Sequence, residues 1–418
     1  MSDAEDHNAK LREIGRTLRE RRGHFFDDVR FSDAEYERRY RKVREEMYAR
    51  DLDCLIVYGS SAHTDSNQQS IRYLSGYVDQ ISAYIVFPYE GEPVLFPDLY
   101  GHVPDAFMMA HEGIDVHWGT YEMARPVVER VRELGYADAD IGLVGTVGRG
   151  TQLPADHLDV LKRELPDAEF EYATDVLNRV CIEKSAEEVE ALRDGARVTD
   201  MALEGMVEAT RPGATERDLK KAVMTPFLDQ GEYMFQLIGS TSMHDPDMPY
   251  PFEHQSSREV QQGDLVVTEI SAKGLQGYSG QILRPIAVGE EPTDEFQWLY
   301  DVAEDIFWDV FDVLEPGNTT EDVLDAATPH IEDNDLTIHA PIIHGWGLGL
   351  QYQPLVGTRN EGAMANAPFT FEEGHMVVIE PNPVTRDQMK GMFLGELVHV
   401  TANGAERLHE YPMEFIQV

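Results

Sequence analysis

Positive charge is scarce in this sequence. Lysine and arginine together number 35 against 77 aspartates and glutamates, which gives a formal net charge of −42, and only eight of the cations are lysines. Because phosphate backbones and anionic lipid surfaces repel such a chain, nucleic acid and membranes are excluded as partners. Long apolar runs are also absent, and no segment approaches the ~18 uninterrupted apolar residues of a membrane span.

Cysteine is nearly absent as well. The two cysteines, Cys54 and Cys181, lack the spacing of a zinc site or a redox motif. Cys54 lies in an apolar run, residues 54–58, which predicts a buried thiol. The acidic start of the chain lacks the apolar stretch of a secretory signal, so we expect a cytoplasmic protein.

The acidic residues are spread through well-patterned segments rather than gathered in a tail. Hydrophobic residues make up 42% of the chain, which is too much for a disordered acidic protein. We interpret the surface as one adapted to high salt, where a Debye length of about 3 Å screens self-repulsion. The sequence therefore predicts a folded, halophilic protein, and its 418 residues have room for two or three domains.

Strand-like and helix-like patterns alternate through the first 180 residues. The pattern predicts a helix at residues 32–50 and a buried strand at residues 52–58. Further strands are predicted at residues 84–88 and 93–96, and helix and strand then alternate through residues 127–134, 141–144 and 158–165. This rhythm is typical of an α/β domain with a mixed sheet. The polar segment of residues 59–70 is rich in turn formers and separates two of the strands.

Residues 181–418 contain an internal repeat. A glycine turn leads into a β-branched run that ends in a glutamate, at Gly263–Glu269 and again at Gly374–Glu380. A second strand-like run bounded by glycine follows each, at residues 280–289 and 395–404. Upstream of each pair a Pro-Gly dipeptide ends one helix before the next begins. The pattern predicts a helix–helix–hairpin unit that occurs twice.

Helix starts in this part of the chain carry capping signals. Ser185 with Glu188 three residues later forms the sequence of a capping box. Thr215 is placed to cap the second helix of the first repeat, and either Thr319 or Thr320 takes that place in the second repeat.

Two such units that face each other would bring polar side chains to one central site. Glu269 and Gln281 come from the first unit, Glu380 and Glu396 come from the second, and His344 arrives from the segment between them.

These motifs, in this order, resemble the creatinase/aminopeptidase superfamily, which includes the Xaa-Pro dipeptidases and aminopeptidases of the M24 type. The resemblance covers almost the whole chain and is carried by residues 52–58, 73–76, 183–190, 263–269, 277–278, 344–348, 374–381 and 400–404. It implies an α/β plus α+β fold: a creatinase-like N-terminal α/β domain, residues 1–180, followed by a pseudo-twofold pita-bread catalytic domain, residues 181–418. It also implies a homodimer, with residues 59–70 as a candidate specificity loop.

The metallopeptidases of this superfamily hold two divalent ions with two aspartates, one histidine and two glutamates. By position, Glu269 stands for the first aspartate, Gln281 for the second, His344 for the histidine and Glu380 for the first glutamate. A second histidine that the family places seven residues after His344 is Gln351 here.

The last ligand position of that plan is Gly395. Glu396 stands one residue later, and a shift of one residue turns a strand side chain to the opposite face. Two adjacent dications need several carboxylates, whereas glutamine offers a neutral oxygen and glycine offers none. We therefore expect no two-metal centre. The alternative is one or two Mn, Zn or Co ions held by Glu269, His344, Glu380 and Glu396.

Creatinase and ectoine hydrolase are members of the superfamily that also lack the metal plan, and they hydrolyse C–N bonds of small molecules. By resemblance we expect a hydrolase of a small amide, amidine or dipeptide-like substrate. A glutamate buried beside another carboxylate has a raised pKa, so Glu269 and Glu380 can act as an acid–base pair. His344 would polarise the carbonyl or shuttle the proton. The candidates for substrate binding are Tyr278, Gln281, Arg284, His254 and Glu396.

Two other functions stay open at this point. A metal-dependent Xaa-Pro dipeptidase or aminopeptidase would require Glu396 to reach the centre. A non-catalytic binding protein would leave Glu269 or Glu380 to cap a turn or to pair with Arg284. Either His244 or His254 is expected near the site, since both precede the first glutamate strand.

Overall fold

A computed structural model describes residues 2–61, 65–145, 150–360 and 368–418. The chain divides into two compact units, Met1–Cys181 and Ile182–Val418. The sequence places the domain boundary after residue 180. Residues 62–64 of the predicted specificity loop lie outside the described residues.

The first unit is built on a six-stranded mixed sheet with the strand order β4-β3-β2-β1-β5-β6. Strand β1 pairs antiparallel with β2 and parallel with β5, which is the mixed sheet that the sequence predicts. Cys54 is fully buried in β1, as predicted. The strands are β1 (Cys54–Ser60), β2 (Ser82–Pro88), β3 (Val94–Pro97), β4 (Asp115–Val116), β5 (Asp140–Val144) and β6 (Glu169–Tyr172). The helices are α1 (Ser2–Arg22), α2 (Asp33–Tyr48), α3 (Gln69–Ser75), α4 (Val103–Met109), α5 (Ala124–Glu133), α6 (Ala155–Glu164) and α7 (Thr174–Ile182).

The second unit contains a ten-stranded sheet. Its main path runs β13-β12-β14-β16-β9-β8-β10-β18, with β7 paired to β8 and β17 paired to β16, while β11 and β15 pair separately. The helices are α8 (Ala186–Ala209), α9 (Glu216–Met224), α10 (Asp294–Val313) and α11 (Thr320–Asp333). The strands are β7 (Gly231–Ser242), β8 (Asp264–Gly274), β9 (Ile282–Leu283), β10 (Ile286–Ala287), β11 (Leu336–Ile338), β12 (Ile343–Trp346), β13 (Leu350–Val356), β14 (Met376–Ile379), β15 (Pro383–Thr385), β16 (Gly395–Thr401), β17 (Gly404–Arg407) and β18 (Ile416–Gln417).

The helix starts follow the predicted capping signals. Ser185 and Glu188 form a capping box at α8, and Thr215 does the same with Asp218 at α9. Thr319, rather than Thr320, caps α11. A cap of this kind typically contributes about 1 kcal/mol to helix stability, so these residues define where each helix begins.

Each half of the second unit packs its own helix pair against the sheet. Helices α8 and α9 contribute to one apolar core with β7 and β8, and α10 and α11 contribute to another with β12, β14 and β16. The glycines that open β8 and β14, Gly263 and Gly374, have φ angles of +81° and +89°, which an L side chain rarely adopts. The two repeats thus deliver their glutamate strands in the same way.

The helices are too short or too polar for a bilayer. In the ranges that the structure describes, none has the length and apolar content to cross a membrane.

Candidate active site

Four side chains from separate strands meet near the centre of the large sheet. Glu269 lies in β8, Gln281 directly precedes β9, His344 lies in β12 and Glu380 directly follows β14. Since β8 pairs with β9 and β12 pairs with β14, each half supplies two neighbouring strands to the cluster. The structure therefore brings together four of the five residues that the repeat places at a shared site.

The amide of Gln281 links the two glutamates. Its Nε2 donates to Oε1 of Glu269 at 3.1 Å and to Oε2 of Glu380 at 3.0 Å. An amide nitrogen has two hydrogens, so both are used. Gln281 is fully buried, and its Oε1 has no hydrogen-bond partner among the described residues.

The imidazole of His344 lies beside this pair. Its Nδ1 is 3.2 Å from the carbonyl oxygen of Gly345, and because a carbonyl only accepts, Nδ1 carries hydrogen. Its Nε2 is 3.3 Å from Oε2 of Glu380. The second ring nitrogen of His344 therefore lies against the Glu380 carboxyl group.

Burial and charge repulsion act together on Glu269. Its side chain is half-buried, and its pKa is raised well above the usual value, first by removal from water and second by the charge of Glu380. A raised pKa favours the protonated carboxyl group near neutral pH. Of its two ionisation states, the protonated one is therefore favoured for Glu269 by its surroundings.

Glu396 faces away from this cluster. Its carboxylate is fully buried and pairs with the guanidinium of Arg284, and it accepts from Arg407 Nε at 2.5 Å and Nη2 at 2.9 Å. Burial alone would raise the pKa of Glu396, but the two arginines outweigh burial and hold it below its usual value. Glu396 and Arg284 thus have each other as partners, and their predicted roles in substrate binding, or that of Glu396 as a metal ligand, stay predictions.

The comparisons with known proteins agree with this architecture. The family profile described as "Metallopeptidase family M24" matches residues 190–402, more than half of the chain. The chain belongs to the M24 family. A second profile, "Creatinase/Prolidase N-terminal domain", matches residues 39–180. The superfamily and the two-part fold predicted from the sequence are confirmed, and the protein is a hydrolase of the M24 class.

Curated relatives include a Xaa-Pro dipeptidase of Pyrococcus horikoshii, 22% identical over 388 residues that cover 90% of this chain and 98% of that protein. A probable dipeptidase PepE of Mycobacterium tuberculosis is 29% identical over 251 residues, 59% of this chain and 63% of that protein.

Among solved structures, the prolidase of P. horikoshii has a TM-score of 0.73 at 20% identity and covers 90% of this chain and 99% of its own. Dipeptidase PepE of Mycobacterium ulcerans has a TM-score of 0.74 at 24% identity, with 93% and 99% covered. At these identities the likeness establishes the fold.

Gly395, which the resemblance places at the last glutamate ligand, has no room for a side chain. A Cβ atom on Gly395 would lie 2.0 Å from the carbonyl oxygen of Ile379, and its φ angle of +152° is unfavourable for other residues. Across the described ranges there is no group of three or more histidine, cysteine or acidic side chains arranged to hold a metal ion. The strand geometry thus explains why Glu396, the next residue, turns the other way.

Three further predicted residues lie outside the cluster. Tyr278 is buried, and its hydroxyl donates to Glu188 of α8 at 2.5 Å. His254 is exposed to solvent, and His244 is exposed with its Nε2 3.0 Å from Glu290. The Tyr278 hydroxyl thus points to α8 and both histidines face solvent, and the predicted roles of Tyr278 and His254 in substrate binding stay predictions. Tyr278 follows a turn that aims it at helix α8.

Trp346 belongs to the site but was not predicted. Its ring centre is 5.3 Å from that of His344, and its Nε1 donates to the carbonyl oxygen of Ser279 at 2.7 Å. Trp346 lies two residues after His344 in β12, and strand residues separated by two share a face. That alternation is the sequence signal by which it could have been found.

The raised pKa of Glu269 should make the stability of the protein depend on pH. With a folded-state pKa above the usual value, Glu269 favours the fold while it is protonated, and this contribution is lost as pH rises through the raised value. Glu269→Gln cannot ionise. We expect the variant to be more stable than the wild type at pH 9, with the difference vanishing toward pH 4. Urea unfolding across this pH range measures it.

Glu396→Gln is the control for that series, because its pKa is shifted in the opposite direction. It should be less stable than the wild type at neutral pH and approach it in acid. A stability difference for Glu269→Gln that is the same at every pH would contradict the raised pKa.

Proposed function

We propose that this M24 hydrolase cleaves the C–N bond of a small amide, amidine or dipeptide-like substrate with Glu269, His344 and Glu380, and that it does so without a two-metal centre. The observation that carries the proposal is the position of the Gln281 amide nitrogen between the two carboxylates. A hydrogen-bond donor sits where a metal site of this family would need an oxygen ligand.

The donor set fits a pair of divalent ions poorly. Two adjacent dications repel and are stabilised by several carboxylates, of which this cluster has two. The second aspartate position is neutral, the last glutamate position is Gly395, and Glu396 is already neutralised by two arginines. These residues support a reaction that proceeds by proton transfer among side chains, water and substrate.

In the proposed reaction Glu380 removes a proton from a water molecule, and the oxygen of that water adds to the carbonyl or amidine carbon. The C–N bond then breaks, its electron pair stays on nitrogen, and Glu269 protonates that leaving nitrogen. The proton that Glu380 took from water then passes to Glu269, and both carboxyl groups are again in their starting states. His344 steadies the Glu380 carboxylate during this exchange through its 3.3 Å contact.

The comparisons support a dipeptide-like substrate, because the relatives are named as dipeptidases. The same names favour a second candidate function, that of a metal-dependent Xaa-Pro dipeptidase. In that case Glu269, His344 and Glu380 would bind a single ion. Membership of a hydrolase family argues against the non-catalytic alternative. The homodimer, the halophilic surface and the cytoplasmic location stay predictions.

Chelation separates the two candidates. The purified protein, dialysed against EDTA and assayed with Xaa-Pro dipeptides and small amides, is expected to retain its turnover within about twofold, because its acid–base groups are side chains. Elemental analysis of the same sample should find no stoichiometric divalent metal. Loss of turnover that Mn²⁺ restores would select the metallopeptidase instead.

A further inference from the structure

The two halves of the second unit meet along a short seam in the sheet. Strand β9 of the first half pairs with β16 of the second through two residue pairs. The backbone N–H of Leu397 also donates to the carbonyl oxygen of Gln281 at 3.0 Å. The contact between Gln281 and Glu380 crosses the same seam, so the geometry of the active site depends on how the halves are joined.

Arg284 extends across this seam. It belongs to the first half, directly after β9, and its fully buried guanidinium donates to the carbonyl oxygen of Gly395 at 2.8 Å and pairs with Glu396, both in β16. Its Nε also donates to the carbonyl oxygen of Pro412 at 2.7 Å. One side chain therefore bonds to β16 and to the C-terminal segment at once.

The Arg284 contact lies one strand away from the catalytic carboxylate. A Cβ atom on Gly395 would be 2.9 Å from the Cα of Glu380, so the two backbones are in close contact. A shift of Gly395 along the seam would therefore displace Glu380 relative to Gln281.

We propose that Arg284 is a positioning residue that holds the two half-sites together. The inference rests on the proposed function. Glu269 and Glu380 come from different halves and repel when both are ionised.

A double variant tests the inference with both members of the fully buried pair removed, so that only the partly exposed Arg407 loses its carboxylate partner. Removal of one partner alone would strand the other in the interior, whereas Arg284→Met with Glu396→Met replaces the pair by apolar side chains of similar size. We expect kcat to fall about 30-fold or more with KM changed less than about threefold, since misplacement near 1 Å can cost about 100-fold. Arg284→Lys, which can keep one of the bonds, should recover part of the loss.

The first unit contains a matched control. Glu35 is buried and pairs with buried Arg39 at 2.6 Å, and the more exposed Arg38 binds the same carboxylate at 2.8 Å. The variant Arg39→Met with Glu35→Met makes the same chemical change in the other unit and should leave kcat within about twofold, because neither residue belongs to the strands that bring the active-site side chains together.

Hydrogen exchange gives a readout that needs no substrate. In the seam variant the amides of residues 394–400 should exchange at least about tenfold faster than in the wild type, and in the control variant they should not. If kcat and exchange of the seam variant both match the control, the inference is overturned. If the wild type turns over neither dipeptides nor amides, the proposed function fails, and the exchange result alone decides whether Arg284 joins the halves.

Discussion

Glu380→Gln is expected to lower kcat by about 10³-fold, within the range of 10²–10⁴ that general acid–base groups contribute. Glutamine has the same shape and still offers an oxygen to the Gln281 amide, but it cannot accept a proton from water. KM should change little, because the substituted group acts on the proton rather than on binding. Steady-state kinetics with the best dipeptide or amide substrate of the wild type measures both parameters.

Glu269→Gln should give a loss of similar size, since an amide cannot protonate the leaving nitrogen. The matched control is Glu208→Gln, which alters an exposed glutamate of α8 and should leave kcat within about twofold, as surface substitutions usually do. Either active-site variant with wild-type turnover would remove the proposed acid–base pair from consideration.

Gln281→Glu is expected to make the enzyme dependent on a divalent ion. The change replaces one NH₂ group by an oxygen, removes the donor between Glu269 and Glu380, and brings a third carboxylate against His344. Without a cation, the uncompensated buried carboxylate should lower the free energy of unfolding by about 3–5 kcal/mol. We therefore expect, in EDTA, a lower unfolding midpoint and activity reduced at least about 100-fold. Added Mn²⁺ should raise the midpoint and bind with measurable heat in calorimetry.

Gln281→Met is the control for that substitution. Methionine has a similar length and neither charge nor a donor, so it should lose activity without gaining any response to Mn²⁺. A Gln281→Glu variant that ignores Mn²⁺ in both stability and calorimetry would show that the neutral amide is not what keeps cations out. The wild type already responding to Mn²⁺ would point to the dipeptidase alternative.

Much of the second unit could be predicted from the sequence because its signals are local. The glycine turns before Glu269 and Glu380 require φ angles that favour glycine, and they mark the starts of β8 and β14. The capping boxes at Ser185 and Thr215 are likewise contained within four residues. A repeat of such signals is visible without any tertiary information.

The residues around the core of the site were predicted less well. Tyr278, His254 and Arg284 lie close in sequence to strands that enter the site, yet their side chains bond to Glu188, face solvent, or pair with Glu396. The direction of a side chain after a turn depends on the elements that pack against it. Sequence proximity alone therefore does not predict which side chains lie in the cluster around Gln281.

The sequence by itself determined the chemical inventory: two glutamates in the repeated strand runs, a glutamine and a glycine at two positions where the resemblance predicts carboxylates, and a large acidic excess. Tertiary structure alone decided that Gln281 bonds to both glutamates, that Glu396 is neutralised by Arg284 and Arg407, and that the pKa of Glu269 is raised. The reason is physical: a pKa and a hydrogen-bond partner depend on burial and on charges from distant segments, and these distances exist only once the chain has folded.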